Sequence, residues 1–390
     1  MRKTFVLTSL LVAVAINVAA LPQFALLSGN RCSNCHVSPA GGGLRTEMGW
    51  YTMHDVGLIK REALPFLYPD DQSNTILDEQ VIFGADARLQ STRSFYDSNA
   101  SRVLIPMQLT VYGAYKPTRW LTVEGSFNAA ALHTRSGTPV RFPGQRLGLA
   151  SAMVSINRSI PTLRVGMIRP SFGIRYDDHT VFPFSYATPR ARQNIISPDW
   201  GEWGSELTWE YLRWLTVQVG VYGAQGLAQT HISNGIDNVP TVKGNNPTVT
   251  GRIYTSHQFS DNAANMYAGA SILTNNDFRM ISAFAGAAVT DHVYLMADVV
   301  QTHKLNVLTS TMGMVEVGWS VDPSVIAYAR YEHGTSDQSQ MQTNATLTSG
   351  VFGAQVFVLP FMEIRPEYRI MDTFYSGINT RWNVQLHLFY

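Results

Sequence analysis

The residues with the most specific chemistry in this chain are Cys32, Cys35 and His36, in the run Cys-Ser-Asn-Cys-His. Two thiols three positions apart, followed at once by an imidazole, make the C-x-x-C-H pattern of covalent c-type haem attachment. The thiols add to the two vinyl groups of one porphyrin edge, and the histidine presents a ring nitrogen to the iron as an axial ligand. These are the only two cysteines of the chain, too few for a disulfide scaffold. A structural zinc site would want a second ligand pair at metal spacing, and no second cysteine pair exists. A thioredoxin-like redox motif would sit near a βαβ pattern, which is absent. One covalently bound haem c is the expected cofactor. Its sixth ligand stays open between Met48, Met53 and His54, within a stretch from Leu44 to His54 that suits one or two helical turns. A methionine would set a higher potential than a second histidine. The run Gly41-Gly42-Gly43 offers a loop with free backbone angles beside the motif.

The elements that must position these groups begin with an address. Arg2 and Lys3 precede an apolar run from Phe5 to Ile16 and a small-residue site ending at Ala20, the pattern of a secretory signal peptide over 1–20. The apolar run is short for a spanning helix, and no later one approaches the ~18 residues that a helix needs to cross a bilayer. The 390 residues are 45% hydrophobic and 15% charged, with a net charge of +1. That composition is too apolar for disorder and lacks the basic excess that nucleic-acid binding requires, so no nucleic-acid partner is expected. A mean hydropathy of −0.04 remains compatible with a membrane β-barrel, whose strands alternate apolar and polar residues and average to almost nothing.

From residue 81 onward the pattern has period two. Leu121, Val123, Gly125 and Phe127 alternate with Thr122, Glu124, Ser126 and Asn128, and Leu215, Val217, Val219 and Val221 alternate with Thr216, Gln218, Gly220 and Tyr222. About sixteen such strands run from 81–91 to 381–390. Connections after even-numbered strands are short and those after odd-numbered strands mostly longer, the asymmetry of periplasmic turns and extracellular loops in outer-membrane barrels. Trp120, Trp203, Trp209, Trp214, Trp319 and Trp382 fall near strand ends, where aromatic girdles belong, and the last strand stops on Tyr390. The expected fold is all-β: a transmembrane outer-membrane barrel of about sixteen antiparallel strands with a small N-terminal haem domain or plug. The domains are a signal peptide (1–20), a monohaem cytochrome c segment (21–80) and the barrel (81–390).

Such a barrel encloses an aqueous channel unless something fills it, and its lumen reads as polar. Glu363, Arg365, Glu367 and Arg369 occupy four consecutive inward positions with alternating charge, opposite Met362, Ile364, Pro366 and Tyr368. They would line a pore, or neutralise one another and a plug. Pro366 costs a ladder hydrogen bond and suggests a bulge. The long connection from Pro170 to Trp200 carries Asp177, Asp178 and His179, hard ligands suited to a ferrous ion from outside.

A monohaem motif directly behind a signal peptide and ahead of a full porin resembles the fused cytochrome–porins of iron-oxidising bacteria. The likeness lies in Pro22-x-Phe24-Ala25, Gly29-x-x-Cys32-x-x-Cys35-His36, Pro39, and Gly49 ahead of Tyr51, some thirty residues by motif and the rest by architecture. The chain departs from it at Leu26, Leu27 and Ser28, where the family tends to carry polar and basic residues, and in its triple glycine. The resemblance implies a haem segment in or at the mouth of the barrel. That segment would take electrons from an extracellular donor, such as Fe(II) or a multihaem cytochrome, and pass them to a periplasmic carrier such as a cytochrome c. The alternatives are a diffusion porin gated or sensed by its haem segment, and a barrel sheath around a separate multihaem cytochrome.

Overall fold

The computed structural model describes residues 22–39, 41–69, 72–96, 99–129, 132–133, 139–140, 147–174, 185–187, 192–196, 200–228, 246–259, 264–305, 307–338, 343–373 and 377–390. The expected signal peptide lies outside them. The period-two segments form sixteen antiparallel strands that close on themselves. In chain order the first eight are β1 (Val81–Tyr96), β2 (Asn99–Thr118), β3 (Leu121–Asn128), β4 (Leu147–Val154), β5 (Thr162–Ile168), β6 (Glu202–Trp209), β7 (Leu215–Tyr222) and β8 (Thr248–Phe259). The rest are β9 (Ala264–Asn275), β10 (Phe278–Ala288), β11 (Val293–Lys304), β12 (Leu308–Asp322), β13 (Val325–Gln338), β14 (Thr343–Leu359), β15 (Met362–Thr373) and β16 (Gly377–Phe389). Each pairs with its neighbour in sequence, and β1 pairs with β16 from Asp86↔Phe389 to Phe95↔Thr380, which seals the ring. Sealing removes the two edges that an open sheet would leave unpaired in lipid.

Alternation gives the wall two faces. Outward positions such as Val111, Val123, Val165, Leu207, Val219, Ile253, Leu295, Val317 and Val384 are exposed although apolar, which is stable only against lipid. No helix among the described residues is long and apolar enough to cross a membrane. Trp120, Trp214 and Trp319 are exposed at the turn end of the wall, the periplasmic end in barrels of this kind.

Three findings correct the expectations. Several strands outgrow their expected limits at the loop end: only two residues separate β9 from β10, and β12 to β14 run to 15, 14 and 17 residues. By contrast β5, β6 and β7 have only 7, 8 and 8. Pro366 causes no register shift; the irregularity between β14 and β15 falls at Phe357/Leu359, beside the turn. The lumen is not uniformly polar. Leu273, Phe278, Met280, Val300 and Leu308 point inward and form a buried core with Phe172, Ile195, Ile196 and Trp200 of the β5–β6 connection and Leu227 of a short helix after β7 (α4, Gln225–Ala228). Ala187 of the same connection packs against inward Met312, Leu347 and Met371, and its N–H donates to Ser336 Oγ at 2.9 Å. The described parts of that connection therefore pack inside the loop end of the lumen, against this side of the wall.

The N-terminal residues fill the turn end. Helix α1 (Pro22–Ser28) packs against β9, β10 and β11, with Phe24, Leu26 and Leu27 in one cluster with Ala288, Tyr294, Met296, Phe357 and Phe389. A four-residue turn, α2 (Cys32–Cys35), and helix α3 (Glu47–His54) follow. The segment is tied to the wall by Gln23 Nε2 to Gln355 Oε1 (3.1 Å) and by Gly57 N–H to Ser324 Oγ (3.1 Å). Leu58 and Ile59 N–H groups donate to the Phe357 and Val358 carbonyls, and Tyr68 OH to that of Pro360. A two-residue strand, Thr75–Ile76, then pairs back on β1.

Candidate functional site

The Cys-x-x-Cys-His run is held by its own short-range bonds. One helical turn over Cys32–Cys35 ends when His36 goes extended, and the His36 N–H donates to the Cys32 carbonyl at 3.0 Å. Pairing of His36 with Arg45, and Val37 N–H to the Leu44 carbonyl (3.0 Å), closes a hairpin. Its tip uses Gly41, Gly42 and Gly43 at φ of 82°, 72° and 68°, a left-handed run that other residues rarely adopt. Thr46 caps α3 by accepting from the Gly49 N–H (3.1 Å), while its hydroxyl donates to the Asn34 carbonyl. At Gly49 a Cβ would overlap the Cys35 carbonyl, so α3 lies directly on α2.

The three motif side chains are not equivalent. Cys35 and His36 are buried, and desolvation pushes the Cys35 thiol up to about 11, with Cys32 adding to the shift and Arg45 opposing it. Cys32 is part-exposed and borders a cavity of about 720 Å³. The cavity lies between the end of α1, α2 and the wall from β8 to β10. Arg158, Glu210, Arg213 and Trp214 of the periplasmic turns line its outer part, and Arg252, Tyr254, Phe284 and Ile174 its inner part. Burial raises the Glu210 carboxyl above its usual range, against the lowering influence of Arg31 and Arg158.

These residues fit a c-type haem in chemistry and size: two thiols one helical turn apart, an adjacent imidazole, and a cavity within the ~300–1,000 Å³ range of cofactor pockets. The cavity touches the motif through Cys32, with Cys35 and His36 behind that wall. None of the expected sixth ligands borders the cavity. Met48 is 47% exposed, and Met53 lies within the cluster around Phe24 and Trp50. The His54 ring lies tilted against Trp50, centroids 4.9 Å apart, with Asp55 and Arg61 at its ring nitrogens.

Among the described residues no group of three or more His, Cys, Asp or Glu converges as a metal site. Asp177, Asp178 and His179 lie outside the described residues. The expected lumen charges fall in two buried clusters of ion pairs. Glu363 holds Arg365 at 2.8 Å and His387 at 3.3 Å, and His387 reaches Asp86 at 3.1 Å. Arg369 meets Glu332 (3.1 Å) and Glu367 (3.6 Å), while Arg330 meets Glu316, Glu332 and Glu367 at 3.1, 2.9 and 3.3 Å. Arg45 of the inserted segment joins the first through Asp86 at 4.0 Å and lies over the Phe389 ring. Sequence reasoning missed Glu210, Arg252, Asn265 and Tyr267. Inward parity on β8 and β9 was the available signal for the last three.

No protein-family model matches the chain, and no curated protein matches it by sequence. Solved structures do. OprB of Pseudomonas putida aligns with a TM-score of 0.57 at 12% identity, over 80% of this chain and 95% of that one. OmpF of Salmonella typhi, in complex with daunomycin, aligns at 0.54 and 14%, over 81% and 99%. The outer membrane channel DcaP of Acinetobacter baumannii aligns at 0.53 and 10%, over 80% and 97%. At such identities the likeness concerns the fold. With the closed sixteen-strand wall and its lipid-facing belt, it defines a porin-type β-barrel of the outer membrane.

Proposed function

We propose that this barrel is an outer-membrane electron conduit whose residues 21–80 form a plug bearing one haem c. It would oxidise an extracellular donor such as Fe(II), or a multihaem cytochrome, and deliver electrons to a periplasmic cytochrome c. The observation that carries the reading is the Cys32–His36 run folded inside the turn end of the lumen, with Cys32 on the border of a cavity of cofactor size. A haem c there would supply a one-electron centre. Cys32 and Cys35 would hold it through thioethers and His36 would face its iron. The barrel wall keeps lipid away from the route between the two sides.

The test is haem-dependent peroxidase staining of the denatured, purified chain. Staining is expected for the wild type and lost in Cys35→Ala; a wild type that does not stain sinks the reading. In the stained protein, Fe(II) or a reduced multihaem cytochrome should reduce the haem. A second reading, a diffusion porin gated by its haem segment, is favoured by the likeness of the fold to porins. Planar-bilayer conductance separates the two: the conduit is expected to stay closed in both redox states, and the gated porin to open in one.

A further inference from the structure

Three buried arginines of the barrel interior pair directly with carboxylates: Arg164 with Glu124, Arg330 with three glutamates, Arg369 with two. Arg252 is different. It points inward from β8 and is 7% exposed. One Nη donates to Gln218 Oε1 at 3.0 Å, and its guanidinium lies over the rings of Tyr254 (4.6 Å) and Phe284 (5.4 Å). Among the described residues it forms no ion pair, and its Nε has no hydrogen-bond partner. Asp298, buried on β11, instead accepts from Ser282 Oγ at 2.9 Å. Asp298 acts on Arg252 through space without an ion pair, so the buried guanidinium keeps a desolvation cost that an anion in contact would relieve.

Two further polar groups beside it are left over in the same way. Asn265 on β9 donates through Nδ2 to the Leu26 carbonyl (2.8 Å), and its buried Oδ1 has no partner; the buried Tyr267 hydroxyl has none either. All three side chains line the cavity that Cys32 borders. Its walls thus combine aromatic faces with one inner cation, the complement of a planar ring system carrying a carboxylate.

The geometry points to this cavity as a porphyrin-carboxylate site, with Arg252 anchoring a propionate of the haem attached at Cys32. The assignment deepens the haem reading above and rests on it. Its shared chemistry, an aromatic-compatible carboxylate, could also come from a free solute, and the test separates these sources. In the haem-bearing full chain, Arg252→Gln is expected to keep covalent staining but lower the midpoint potential, because an uncompensated carboxylate favours the oxidised iron. Arg252→Lys should restore most of the shift.

In the haem-free Cys32→Ala/Cys35→Ala chain, protoporphyrin IX binding, read by fluorescence, should weaken about tenfold or more with Arg252→Gln, as for a lost charge-assisted hydrogen bond. If that variant misfolds on heat-modifiability gels, the isosteric Asn265→Asp should weaken the same binding by repulsion. An unstained wild type overturns the haem reading, while the porphyrin arm still tests the cavity. Unchanged potential and unchanged porphyrin affinity in a folded variant overturn this proposal alone. Binding of benzoate that needs Arg252, without a potential shift in the haem-bearing chain, would assign the site to free carboxylates and overturn the propionate role.

Discussion

At the residue scale, Arg330 and Cys35 show what burial does to a reactive group. Arg330 is satisfied only because Glu316, Glu332 and Glu367 close on it together. Replacing it with leucine leaves buried Glu316 without its cation and Glu332 and Glu367 with Arg369 alone. The expected cost is about 3–5 kcal/mol, read as a lower urea midpoint for unfolding. Cys35 makes the opposite case, since its thiol is kept neutral. In the haem-free protein its raised value means that stability tied to the neutral thiol is present below the ordinary thiol range and is lost as pH rises through about 11. Iodoacetamide at about pH 8 is therefore expected to label part-exposed Cys32 and spare Cys35. Peptide mass mapping checks this, and equal labelling would contradict the burial of Cys35.

At the scale of elements, the motif and the strands were legible for different reasons. Cys-x-x-Cys-His is local, so five residues declare it. The strands are repetitive, so parity declares the wall and even the inward ladder from Glu363 to Arg369. Parity fails where both faces are apolar. On β11, inward Tyr294, Met296 and Val300 alternate with outward Leu295 and Val299, so only Asp298, Thr302 and Lys304 mark the inward face, and nothing in the sequence says that its apolar members meet a folded-in loop. The cavity was illegible for another reason: Cys32, Glu210, Arg252 and Tyr267 meet only after the ring closes. The stacking of α3 on α2 yields its own prediction. Gly49→Ala should displace α3 from the Cys35 carbonyl and destabilise the segment by about 1–3 kcal/mol. Faster alkylation of Cys35 in the haem-free chain, with an unchanged barrel on heat-modifiability gels, is the expected sign.

At the scale of the whole molecule, the barrel is a wall around two inserted plugs of its own chain, one at each end. The interior network crosses from wall to insert at a single described ion pair, Arg45 with Asp86. Arg45→Ala should loosen the N-terminal insert without touching the ladder hydrogen bonds. The expected outcome is a rise in planar-bilayer conductance over a nearly closed full chain, and no rise would mean that apolar packing around Phe24, Trp50 and Phe361 holds the insert unaided. The uneven height of the wall has a separate consequence for the surrounding lipid. Eight residues at ~3.3 Å each, tilted by ~40°, span about 20 Å, less than the ~25 Å apolar band usual in such barrels. Beside β5, β6 and β7 the bilayer must thin to match, so this flank is where short-chain lipids should gather and where the protein would be oriented against its neighbours in the membrane.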